Sequence, residues 1–117
     1  MRRMTTLAID CGGGGIKASV LDEAGTMRAH PIRVPTPYPL PTDLFVKTLT
    51  DLAAELPKAE RATIGMPGMI RHGVVVTTPH YVTRSGPRTR VLPELVEQWE
   101  GFDVQTAMSE SLGYPVR

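Results

Sequence analysis

Residues 10–17 read Asp-Cys-Gly-Gly-Gly-Gly-Ile-Lys, placing a carboxylate, four consecutive glycines and a lysine in one short run. Without Cβ atoms, the successive N–H groups of Gly12, Gly13, Gly14 and Gly15 can converge on the oxygens of a phosphate. Asp10 is placed to hold Mg²⁺ through water, because Mg²⁺ gives up its hydration shell reluctantly. Lys17 adds a positive charge if its side chain faces the same way. The competing reading is a flexible turn with a solvated Asp10. Each glycine costs about 0.5–1 kcal/mol relative to alanine in regular structure, so a bland turn has little use for four of them. Phosphate binding is the chemistry these residues suggest.

Two better-known phosphate motifs do not fit. A P-loop needs Gly-Lys followed by Ser or Thr, and here Ile16 precedes Lys17 and Ala18 follows it. The dinucleotide fingerprint Gly-x-Gly-x-x-Gly, counted from Gly12, ends on Lys17. Both also require a helix after the glycines, whereas Ile16, Ala18 and Val20 alternate with Lys17, Ser19 and Leu21 in the period of a strand.

The elements that position the run are legible from pattern. Residues 5–10 form a first strand, 16–22 a second and 27–34 a third, joined by glycine-containing turns into an antiparallel meander. Prolines at 31, 35, 37, 39 and 41 fill a loop. Thr42 is placed to cap a helix, with Asp43 in its first turn and Leu44, Phe45, Thr48, Leu49, Leu52, Ala53 and Leu56 at helical spacing before Pro57. Residues 61–66 make a fourth strand running into Pro67-Gly68, and residues 69–76 a hairpin turning at His72-Gly73. A loop over 77–90 holds Arg84, Arg88 and Arg90 and reads as solvated. Pro93 opens a short helix that Gly101 closes, and Asp103 caps another that Gly113 ends. Residues 114–117 begin a further strand by their pattern.

The chain's 117 residues amount to one domain or part of one. Thirteen basic and twelve acidic residues give a net charge of +1, so no general field draws it to nucleic acid or to an anionic membrane. No apolar run approaches the ~18 residues of a membrane helix. Arg2-Arg3 resembles the start of a secretion signal, but Asp10 and Lys17 interrupt any apolar stretch after it, and a cytoplasmic location is expected. The single cysteine, Cys11, excludes an internal disulfide and a cysteine metal knuckle, and reads as a buried filler. His30, His72 and His80 share no ligand spacing.

An Asp-x-Gly-Gly-x-x-x-Lys segment between two strands, with Gly65-x-Pro67-Gly68 and the Gly73-Val74-Val75 hairpin, resembles the ROK family of sugar kinases and repressors, most of all its polyphosphate glucokinase-like members. The resemblance covers most of the chain. It implies an α/β fold of the ribonuclease H-like, actin-like ATPase kind: a mixed sheet with a three-strand antiparallel meander, a fourth strand parallel to the first, and flanking helices. Residues 1–117 would be the N-terminal lobe, cut before the fifth strand, with the general-base Asp, and hence every catalytic residue, beyond Arg117.

The resemblance further implies glucose as the leading sugar, ATP or polyphosphate with Mg²⁺, phosphates on Gly12, Gly13, Gly14, Gly15 and Lys17, metal at Asp10, and a sugar pocket bordered by Pro67 and Gly68. Gly14 stands where the family usually has Thr or Ser, which removes a side-chain donor. Lacking the general base and the second lobe, the chain alone would be inactive. A non-catalytic phosphate-binding or interaction module of the same family is the alternative. Ending at Arg117 would leave residues 62–66 as an open sheet edge and expose Trp99, Met108 and Leu112, so a homo-oligomer is expected.

Overall fold

The computed structural model describes residues 4–117; Arg2-Arg3 lie outside the described residues. The first two strands, β1 (Thr6–Cys11) and β2 (Gly15–Leu21), pair antiparallel from Thr6↔Leu21 to Cys11↔Ile16. Because side chains alternate along a strand, Leu7, Ile9, Cys11, Ile16, Ala18 and Val20 all fall on one face, and all are buried. Asp10 and Lys17 face the other way and are exposed.

On the outer side of β2 runs β3 (Ile32–Pro35), antiparallel, with Lys17 opposite Arg33. The third strand is shorter than the expected span from Met27. Met27 makes only an isolated bridge to Leu21, and the chain then leaves the ladder until Ile32. Pro31, which has no N–H to give, lies in the gap.

Next comes α1 (Thr42–Ala54), which buries Phe45, Leu49 and Leu52, one stripe at helical spacing. Each such side chain contributes roughly 1.5–3 kcal/mol by leaving water. Thr42 does not cap this helix: Pro41 holds the cap position and Thr42 is already helical. Asp43 sits in the first turn as expected. The helix stops at Ala54, before Leu56.

The fourth strand, β4 (Arg61–Gly65), lies parallel to β1, giving the order β3-β2-β1-β4. A hairpin of β5 (Met69–Arg71) and β6 (Val74–Thr77) turns at His72 and Gly73, whose φ angles are 52° and 79°. Positive φ at both central residues is the turn that matches the twist of paired strands. A methyl on Gly73 would lie 2.2 Å from Gln105 Oε1, because the turn is tucked against the start of the last helix. The short helix α2 (Pro93–Trp99) opens on Pro93. In α3 (Val104–Leu112), the Asp103 side chain accepts from Thr106 N, and Gly113 closes the helix at φ 82°.

Two expectations about exposure are corrected. The β4 edge is not open from end to end: residues 115–117 run parallel beside it, with Ala62 N donating to the Pro115 carbonyl, Arg117 N to that of Ala62 and Ile64 N to that of Arg117. Only Gly65 and Met66 lie past that pairing. Nor are Trp99 and Met108 exposed, since both are 0% accessible, while Leu112 is half-buried. Trp99 is enclosed by Phe45, Tyr81 and Phe102 at ring-centroid distances of 5.1, 5.4 and 5.6 Å, and its indole N–H donates to the Leu40 carbonyl at 2.8 Å. No helix among the described residues is long and apolar enough to cross a membrane.

Candidate functional site

The glycine run is a hairpin turn between antiparallel strands, and no helix starts there. Gly12 N donates to the Gly15 carbonyl at 2.9 Å and closes the turn, so that N–H is spent inside the protein. None of the four glycines has a positive φ. What excludes side chains at three of them is close approach: a methyl on Gly12 would lie 3.1 Å from the Gly15 carbonyl oxygen, one on Gly13 2.7 Å from Pro87, and one on Gly15 2.7 Å from Arg33 Nε. Gly14 is different. It is exposed, and a methyl there would meet nothing within 4 Å.

Three residues that sequence reasoning missed hold the turn in shape. Thr36 Oγ1 donates to the Gly12 carbonyl at 2.9 Å, Tyr81 OH donates to the same oxygen at 3.1 Å, and Tyr38 OH donates to the Gly13 carbonyl. The N–H and C=O of a trans peptide point in opposite directions. Fixing the Gly12 and Gly13 carbonyls on the Thr36–Tyr38–Tyr81 side therefore turns the N–H groups of Gly13 and Gly14 away from it. A hint lay in the sequence, where Thr36 and Tyr38 interrupt the proline loop, but nothing local points to Tyr81.

Tyr81 is also the centre of an aromatic cluster. Its ring lies 5.7 Å from Phe45 and 6.4 Å from Tyr38. Burial, with Cys11 beside it, pushes the Tyr81 phenol up, and burial alone raises that of Tyr38. Both stay protonated and remain donors. Cys11 packs under the turn, where burial first and the neighbouring Asp10 second push its thiol up to about 12. It is a buried filler rather than a reactive thiolate, as its sequence context suggested.

Asp10 lies opposite Lys17 on β2 and Gly65 on β4. Gly65 leaves room beside the carboxylate, since a methyl there would come 3.8 Å from Asp10 Oδ1. Asp10 and Lys17 share the open face of the sheet with Arg33. Because β1 and β4 are parallel, the glycine turn and Pro67-Gly68 emerge from the same end of the sheet, the end at which α/β folds bind ligands. Gly68 has φ 110°, and a methyl on it would lie 2.2 Å from the Thr77 carbonyl oxygen. The Thr78 hydroxyl ties the Pro67 carbonyl to the same segment at 2.9 Å. What approaches Gly68 is thus backbone of this chain.

A single carboxylate beside outward-turned amides fits Mg²⁺, which is usually held by one or two carboxylates, water and substrate phosphates. Among the described residues no group of three or more His, Cys, Asp and Glu side chains forms a metal cage. His80 lies against Gly13 and His72 is in the hairpin turn. Arg84, Arg88 and Arg90 are exposed on the 77–92 loop, as expected.

The ROK family model matches residues 6–117. No curated protein sequence matches the chain. Among solved structures it is similar to an inorganic polyphosphate/ATP-glucomannokinase from Arthrobacter sp. strain KM, at 25% identity and a TM-score of 0.74 over 97% of this chain and 43% of that one. A ROK family glucokinase from Streptomyces griseus, solved with glucose and AMPPNP, superposes at a TM-score of 0.71 with 23% identity, over 96% of this chain and 31% of that one. A ROK family transcriptional regulator, a homologue of the E. coli MLC protein, shares the fold at a TM-score of 0.63 and 14% identity, over 97% of this chain and 26% of that one. The chain thus spans less than half the length of these relatives. With the mixed sheet, the glycine hairpin and a family match over nearly all of its residues, the chain belongs to the ROK family.

Proposed function

We propose that the chain is the N-terminal, phosphate-binding lobe of a cytoplasmic sugar kinase, which moves a phosphoryl group from ATP or polyphosphate to a sugar hydroxyl, glucose being the leading acceptor. One observation carries this reading: Thr36, Tyr38 and Tyr81 pin the Gly12 and Gly13 carbonyls, so that the Gly13 and Gly14 amides face outward at the end of β1. Phosphoryl transfer depends on positioning and on neutralising charge spread over the phosphate oxygens. Preorganised amides need no rearrangement when that charge develops.

In this reading Gly12 and Gly15 build the turn, Gly13 and Gly14 donate to the phosphate, and Lys17 lends charge from the open face. Asp10 holds Mg²⁺ through water, and the ion when bound neutralises phosphate charge. Pro67 and Gly68 border the sugar pocket at the same end of the sheet, with Gly68 keeping the Thr77–Thr78 backbone close.

A second reading is a non-catalytic phosphate-binding or interaction module of the family. Gly14, which offers no hydroxyl, favours it. Titration of the chain with Mg-ATP, polyphosphate and glucose, monitored by amide chemical shifts, tests both. Shifts centred on Gly13 and Gly14 with either donor, and near Gly68 with glucose, are expected for the kinase lobe. Phosphate shifts without any glucose response would favour the module, and no response to any phosphate would refute the kinase lobe and leave only the interaction form of the module.

Self-association is also proposed, through the uncovered end of β4. There Ile64, Met66, Ile70, Val104 and Val116 line an apolar groove of about 290 Å³. Light scattering across a concentration series tests this, a constant mass of 12.8 kDa being the contrary result.

A further inference from the structure

Arg33 carries no motif in the sequence, yet its position is unusual. It sits on β3 directly opposite Lys17 on β2, both on the exposed face of the sheet. Its side chain does not project away from the glycine turn. It leans back along the sheet over Gly15, where a methyl would lie 2.7 Å from Nε and 2.8 Å from Nη2. The glycine at position 15 is what lets the guanidinium lie flat beside the turn.

Like charges directly opposite one another on paired strands are destabilising. Among the described residues, neither Arg33 nor Lys17 is offset by a side-chain hydrogen bond or ion pair, the ion pair present being Lys47–Asp51. Asp10 is opposite Lys17 but not within ion-pair distance of it. Lys17 and Arg33 thus lie on strands whose backbones are about 4.8 Å apart, on one face, with no ion-pair partner within reach among the described residues. The Arg33 guanidinium lies beside Gly15, next in the chain to Gly14. Arg presents a planar fork of donors that suits phosphate oxygens.

We propose that Arg33, with Lys17, forms a cationic track that binds the successive phosphates of a linear polyphosphate, beyond the phosphate held at Gly13 and Gly14. The proposal rests on the phosphate-binding reading of the glycine turn and names the donor class for it. A nucleotide places ribose and base after three phosphates, whereas polyphosphate continues as an anion. The contribution of Arg33 therefore grows with the length of the phosphate chain.

The test is calorimetric titration of the full 117-residue chain with inorganic phosphate, tripolyphosphate and long-chain polyphosphate. Arg33→Gln is expected to weaken long-chain polyphosphate by about tenfold, the scale of a hydrogen bond to a charged group, and to leave inorganic phosphate within about twofold. Its salt dependence should become shallower by about one released ion. Arg33→Lys should recover part of the loss. Arg33 is exposed, so these variants should fold, which circular dichroism verifies.

Unchanged polyphosphate affinity in Arg33→Gln, with phosphate still bound, would overturn the track and leave the phosphate-binding reading standing. Absence of binding by any phosphate species to the unmodified chain would overturn both. Equal competition by an oligouridylate of matched charge would also overturn it, because the face would then be an unselective basic patch.

Discussion

The Tyr81 hydroxyl donates to the Gly12 carbonyl oxygen at 3.1 Å, joining residues 69 positions apart. The oxygen it holds belongs to the peptide whose N–H is that of Gly13. A buried phenol in the aromatic cluster thereby sets the direction of a backbone donor at the surface. Thr36 reaches the same oxygen, so the Gly12 carbonyl keeps one partner when Tyr81 loses its hydroxyl.

Tyr81→Phe and Tyr38→Phe should therefore differ. Removing the Tyr81 hydroxyl acts in the buried cluster and should cost about 0.5–1.5 kcal/mol in urea unfolding, the net worth of one hydrogen bond. Tyr38 is half-buried and water can replace it at Gly13, so Tyr38→Phe should change stability by less than about 0.5 kcal/mol. Tyr38→Phe should weaken phosphate binding severalfold, because the freed Gly13 carbonyl lets the Gly14 amide turn, whereas Tyr81→Phe, with Thr36 still on the Gly12 carbonyl, should weaken it by about twofold or less. Undiminished affinity in Tyr38→Phe would mean that the turn holds its shape without the pin.

Gly14 and Gly68 should respond in opposite ways to a side chain. Gly14 is exposed, has an ordinary φ and has empty space where a Cβ would go. Gly14→Ser should leave stability within about 0.5 kcal/mol and tighten phosphate binding severalfold through the added hydroxyl. At Gly68 a methyl would meet the Thr77 carbonyl at 2.2 Å with φ at 110°. Gly68→Ala should cost about 2 kcal/mol or more. Thermal melts and phosphate titrations of the two variants measure both effects. A Gly14→Ser protein that binds phosphate no better would remove the reason for treating Gly14 as the weak point of the loop.

What could be read from the sequence was what is local. The glycine hairpin, the Asp103 cap, the turn at His72-Gly73 and the stripe of Phe45, Leu49 and Leu52 depend on residues within a few positions of one another. The bracing of the turn does not: Thr36, Tyr38 and Tyr81 reach it from 24, 25 and 69 positions away. Arg33 was hidden for a related reason, since its importance depends on strand register rather than on its neighbours. The pairing of residues 115–117 with β4 is another case. A strand start was legible there, but covering the edge is a property of the assembled sheet. Thr42 failed as a cap because Pro41 already supplies the extended residue before the helix.

The chain should bind phosphate without turning over. In the proposed reading its glycine turn, Asp10 and Lys17 supply positioning and charge neutralisation, and no residue is assigned to deprotonate a sugar hydroxyl. General-base catalysis is worth about 10²–10⁴ in rate. A coupled assay with glucose, Mg²⁺ and either ATP or polyphosphate should stay at background while phosphate titrations of the same preparation show binding. Sustained turnover by the purified chain would place a base within these residues and redirect the search to Asp10.

Alkaline pH should destabilise the protein through Cys11 before the tyrosines contribute. In the folded chain the thiol is pushed up to about 12 from an ordinary 9.0, mainly by burial. Below pH 9 it is protonated in both states and its contribution is fully present. Between about 9 and about 12 the unfolded chain gives up the proton while the folded chain keeps it, so unfolding releases a proton and stability falls as pH rises. One such group removes about 1.4 kcal/mol per pH unit. The Tyr81 phenol, raised from 10.0, adds a second loss of the same sign only above that ordinary value. Urea unfolding at pH 8, 9 and 10 should therefore show a decline setting in near pH 9, and Cys11→Ala should be flatter between 9 and 10 whatever its baseline stability. Parallel alkaline limbs for the two proteins would mean that the thiol ionises in the folded state without penalty, and that the floor of the glycine turn is wetter than its burial implies.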